Sequence, residues 1–136
     1  MELISYTRDF TDKGGLAKLG DSLINLVFSL ALSEYLGRPT GGRGFQTHLS
    51  PSHLRWLGLG TSYPPRTDKH GKGGDIAEAL FAYAWLEKKI TIEEAVEILS
   101  QNLNDDVTHF TRKKETIGKA FAVLYEEIGK RLGLKD

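Results

Sequence analysis

The sequence predicts an all-α fold, and three observations predict it. Apolar residues recur at three- and four-residue spacings over long stretches, several helix starts and stops are written in cap residues, and no strand-like alternation rises above background. The chain has 136 residues, 40% hydrophobic and 26% charged, which suits a single domain over 1–136 and excludes general disorder. There is no run of eighteen apolar residues, so no membrane span is expected. The N-terminal MELISYTRDF has no basic region followed by an apolar stretch, so it does not read as a secretory signal, and a cytoplasmic location is expected. With no cysteine, disulfides, thiolate catalysis and cysteine-ligated zinc are excluded. Absent cysteine and a single Met suit a thermophile as well as an ordinary small cytosolic protein.

The first element is the most apolar. From Leu16 to Leu36, a stripe of Leu16, Leu19, Leu23, Leu26, Val27, Leu30 and Ala31 has helical spacing. Ile24, Phe28 and Leu32 widen it, so the helix is expected to be buried on more than one face, as a central helix, a subunit interface, or both. Gly37, Arg38 and Pro39 stop it. Residues 38–74 are loop-rich and hold all four prolines; Ser50-Pro51 can start a short helix through Leu57. A loop this long in a compact domain usually carries function or moves. Helical spacing returns over Gly74 to Lys88, with Ile76, Leu80, Tyr83 and Ala84 on one stripe. Thr91 and Glu94 form a capping box for a helix to about Gln101. A last amphipathic helix is expected from Asp105 or Asp106 to about Leu132, with Phe110, Ile117, Phe121, Leu124 and Ile128 on its apolar stripe.

Charge is balanced overall but segregated. Residues 1–36 carry net −2, 37–74 net +5, 75–106 net −6 and 107–136 net +3. A basic surface beside an acidic cluster suits an enzyme that holds a polyanion and a divalent metal, although helical proteins also segregate charge by chance.

Two acidic spots carry candidate chemistry. Asp21 follows Gly20 inside the most apolar helix, where a carboxylate costs helix propensity and desolvation unless it meets a partner, a metal or an exposed edge. Gly20 is itself a poor residue inside a helix unless something must approach the backbone closely. Asp75 and Glu78 lie three apart, one turn apart on one helix face, as two oxygen donors for Mg²⁺ or as a plain acidic N-terminal turn. His48, His53 and His70 form no zinc pattern. No GxSxG elbow appears, and the glycines of GKGGD do not make a Walker loop, which disfavours nucleotide binding.

Read together, the two spots resemble the ribonuclease III family. The run Leu16-Ala17-Lys18-Leu19-Gly20-Asp21-Ser22-Leu23-Ile24 is similar to that family's first motif, and Asp75-Ile76-Ala77-Glu78-Ala79-Leu80-Phe81-Ala82-Tyr83 to its second, with Ala82 where the family has glycine. The resemblance spans at least residues 14–100 and is to the endonuclease domain, in a short form without a double-stranded-RNA-binding domain. It implies an all-helical homodimer that cleaves double-stranded RNA, leaving 5′-phosphate and 3′-hydroxyl ends. It further implies that Asp21, Asp75 and Glu78 are catalytic, metal-linked carboxylates for Mg²⁺, with Mn²⁺ as a substitute. The sequence departs from the family where a metal-binding glutamate stands four residues before the aspartate: here it is Ala17. Other family glutamates align with Gly14 and with the Gly41-Gly42 region.

The leading expectation is therefore a metal-dependent endoribonuclease of double-stranded or structured RNA. Lys18, Arg43, Arg55, Arg66, Lys69 and Lys72 are its candidate phosphate contacts, with Arg112, Lys113 and Lys114 at the last helix. The alternative is a non-catalytic RNA-binding or ribosome-associated relative, which Ala17 and Gly14 favour. A helical dimerisation module with no RNA role leaves Asp21 on its apolar helix unexplained.

Overall fold

The computed structural model describes residues 13–42 and 73–133, with side-chain burial given from Gly15 and from Ala77 in the two segments. All the regular structure among these residues is helical, in the order α1 (Lys13–Leu36), α2 (Gly73–Leu86), α3 (Ile92–Gln101), a 3-10 turn η1 (Asp105–Thr108) and α4 (Lys113–Arg131). The expected Ser50–Leu57 helix lies outside the described residues.

Helix α1 is the element around which the others assemble. It packs chiefly against α2 and then α3, while α4 lies on α3, η1 and α2. Its buried face is Leu16, Ala17, Leu23, Ile24, Val27, Phe28 and Ala31. The exposed edge is one row at four-residue spacing: Lys18, Ser22, Leu26, Leu30 and Glu34. Leu26 and Leu30, expected on the buried stripe, are 48% and 43% exposed on that row. Spacing places all these leucines on a wide apolar sector, of which the described helices cover only part. By length and composition alone Gly15–Leu36 is apolar enough to cross a membrane; in this fold it is the core helix, with 44% of its most apolar window buried.

The predicted end of α1 is observed. Gly37 takes φ +73°, a left-handed conformation that glycine adopts without the Cβ penalty. Its N–H and that of Arg38 both donate to the Ser33 carbonyl, at 2.9 and 3.2 Å, closing the last turn. The chain then folds back along α1, where the Ser29 hydroxyl bonds the Gly42 backbone at 3.0 Å and the Ser33 hydroxyl accepts from the Thr40 N–H at 2.9 Å.

The capping box is also observed. The Thr91 hydroxyl accepts from the Glu94 N–H at 3.0 Å, and the Glu94 carboxylate accepts from the Thr91 N–H at 3.1 Å. Arg131, at the end of α4, donates to the same carboxylate at 2.9 Å, to Glu127 at 2.9 Å and to the Lys89 carbonyl at 3.1 Å. One guanidinium thus ties the start of α3 to the end of α4.

The last helix corrects an expectation. It begins at Lys113, not at Asp105 or Asp106. Those two residues instead open η1, where the Asn104 side chain accepts from the Asp106 N–H at 2.8 Å. His109 is extended, at ψ 126°, and its ring nitrogen accepts from the Thr111 N–H at 3.2 Å. These side-chain bonds offer the backbone an alternative to helix and break the pattern. Phe110 therefore falls on a turn and is 89% exposed instead of joining the apolar stripe. The rest of that stripe, Ile117, Phe121, Leu124 and Ile128, is buried as expected. Phe121 meets Phe28 of α1 with ring centroids 6.1 Å apart, at a tilted angle favourable for aromatic pairs.

Candidate active site

Residues of the two acidic motifs come close where α1 crosses α2, at Gly20 and Glu78. The crossing is closest at Gly20, because a Cβ built there would overlap the backbone carbonyl of Glu78. No larger residue fits without moving one helix off the other. This is the physical reason for a glycine within an apolar helix: Asp21 is the next residue in α1, and Glu78 supplies the abutting backbone. Both residues are half-buried. None of the ion pairs among the described residues involves Asp21.

Asp75 is the third residue of α2, in its first turn, where the helix dipole favours an anion; its side chain lies outside the described set. Among the described residues no group of three His, Asp or Glu side chains assembles. The described part of the candidate site is therefore the Asp21–Glu78 crossing. The carboxylate oxygens of these residues are donors of the type a hard divalent ion takes, and Mg²⁺ needs few protein ligands because it keeps its waters.

Ala17, one turn before Asp21, is 7% exposed and belongs to the apolar core. Of the candidate phosphate contacts, Lys18 is exposed one turn from Asp21, and Arg112, Lys113 and Lys114 are exposed at the start of α4. Arg43, Arg55, Arg66, Lys69 and Lys72 lie outside the described residues, as do His48, His53 and His70.

A residue not singled out from sequence bonds the α2 backbone one residue before the crossing. Tyr125 of α4 is 1% exposed, and its hydroxyl donates to the Ala77 carbonyl at 2.6 Å, immediately before Glu78. Burial, with a smaller contribution from the negative charge of Glu78, pushes the Tyr125 phenol well above its ordinary range. It stays neutral and remains a donor. The sequence signal was modest: a tyrosine within the buried stripe of α4, where a phenol needs a partner.

The fold and site define a class, an all-helical domain whose two acid-bearing helices cross at a glycine. A family model described as Ribonuclease III matches residues 14–134, and the chain belongs to that family. The match extends past the 14–100 stretch that carried the motifs and takes in η1 and α4. No curated protein matches the sequence. Family membership supports a ribonuclease III-like function in general terms.

Proposed function

We propose that this protein is a metal-dependent endoribonuclease that cleaves double-stranded or structured RNA to 5′-phosphate and 3′-hydroxyl ends, as a cytoplasmic homodimer. The observation that supports this reading is the crossing at Gly20, where the backbone beside Asp21 abuts the backbone of Glu78. Asp21, Asp75 and Glu78 are the residues that would hold Mg²⁺ or Mn²⁺. When bound, a divalent ion supplies activation of water and neutralisation of charge at the scissile phosphate. The chain supplies the rest. The carboxylates concentrate negative charge at one helix crossing, and Lys18 stands one turn away on the exposed row to meet a phosphate. Arg43, Arg55, Arg66, Lys69 and Lys72 extend the basic surface in this reading, and Arg112, Lys113 and Lys114 add to it from α4. Leu26 and Leu30 form the apolar part of the face on which two copies pair.

One observation favours a second reading, a non-catalytic RNA-binding relative. The position of the missing glutamate is filled by Ala17 packed into the core, so this corner of the site is apolar.

Cleavage of a labelled RNA duplex with Mg²⁺ or Mn²⁺, beside Asp75→Asn and Glu78→Gln, separates the two. The nuclease reading expects metal-dependent cleavage by the wild type and a loss of at least about a hundredfold in either variant. Duplex binding that weakens with salt, with no cleavage under any metal, rejects it in favour of the RNA-binding relative.

A further inference from the structure

We infer that Tyr125 is a positioning residue for the candidate site: its buried hydroxyl, bonded to the Ala77 carbonyl, holds the turn of α2 that carries Glu78 in register against α1. This inference rests on the metal-dependent reading above.

The hydroxyl is the feature that needs explaining. A phenylalanine would fill the same core space, and a fully buried phenol costs desolvation unless it is bonded. Its acceptor is a carbonyl inside α2, a helix whose ladder already offers that carbonyl the N–H four residues on. The bond is therefore additional to what the helix requires. It spans 48 positions in the chain and lands one residue before Glu78. At the next residue, Gly20 of α1 abuts the backbone of Glu78 itself. Two adjacent peptide units of α2 are thus held by other helices, Glu78 by close approach from α1 and Ala77 by a directed hydrogen bond from α4. Removing the hydroxyl leaves the packing of α2 on α1 but removes the directed bond beside Glu78, and losing support of this kind behind a ligand costs metal sites about 10–100-fold in affinity.

The test compares wild type, Tyr125→Phe and Glu78→Gln in three measurements: thermal unfolding, direct binding of Mn²⁺ to the protein alone by calorimetry, and duplex cleavage as a function of Mg²⁺. Tyr125→Phe is expected to keep its helical circular dichroism and most of its thermal stability. Its Mn²⁺ affinity is expected to weaken about tenfold, with the Mg²⁺ needed for half-maximal cleavage rising by a similar factor. A variant that loses thermal stability but keeps wild-type Mn²⁺ affinity and Mg²⁺ dependence overturns the positioning role alone. A wild type that neither binds Mn²⁺ nor cleaves overturns the metal-dependent reading, and this inference with it. Tyr125→Met, which lacks the hydroxyl but adapts its shape to the cavity, carries the same comparison should the phenylalanine variant not fold.

Discussion

Gly20 shows how one missing Cβ can organise a site. A glycine inside a helix costs about 1 kcal/mol relative to alanine, so a chain that keeps one there gains something else. Here the gain is contact: α1 approaches α2 until a methyl group would overlap the Glu78 carbonyl. Gly20→Ala removes the helix-propensity cost, yet the overlap is with rigid backbone and forces the helices apart. The expected net effect is a destabilisation of about 1–3 kcal/mol, read as a lower urea midpoint at unchanged m-value. Because Asp21 follows Gly20 and Glu78 supplies the abutting carbonyl, cleavage is expected to fall further than stability, by about a hundredfold for a displacement near 1 Å. The oddity of Gly20-Asp21 was visible in the sequence. Its cause was not, because the atom that excludes a side chain belongs to a residue 58 positions away.

At the scale of elements, the helix ends are the best-determined features. Gly37 ends α1 and the Thr91–Glu94 box starts α3, and both rest on hydrogen bonds spanning a few residues. The Glu94 carboxylate has a second role across elements. The Arg131 guanidinium first, then the Thr91 backbone N–H, holds it below the ordinary glutamate value of 4.5. A carboxylate whose folded pKa is depressed contributes stability above its unfolded pKa and loses it as pH falls through the folded one. Glu94→Gln keeps a capping acceptor but gives up the charge. It is expected to melt below the wild type at neutral pH, with the gap closing as the buffer is taken below pH 4.5, which thermal scans across an acid series check. The boundary of α4 was harder to read. The apolar spacing from Phe110 to Ile128 is real, but the Asn104 and His109 side chains bond nearby backbone N–H groups and break the helix before it reaches Phe110. Periodicity measures where apolar residues fall and is blind to such local competition.

For the whole molecule, the exposed row of α1 matters most. Leu26 and Leu30 stand out of the core side by side, one turn apart, next to a shallow groove between α1 and α3 that Ile92 and Val96 line. Two adjacent exposed leucines on the long apolar helix α1 suit the homodimer we propose. Replacing both with glutamate is expected to leave the fold intact, because neither side chain is part of the core cluster. Light scattering should then give the mass of one chain, 15.1 kDa, where the wild type gives twice that. A wild type that scatters as a single chain rejects the dimer.

The sequence by itself determined the helical class, the ends of α1 and α3, most of the buried stripe of α4 and the two acidic motifs. These are properties of short stretches, set by backbone dihedrals, capping bonds and spacing along one helix. The tertiary structure decided which leucines of α1 remain exposed, why position 20 is glycine, and that a phenol from α4 reaches the carbonyl before Glu78. Those outcomes depend on which surfaces press together across tens of residues, and no pattern within one element contains that information.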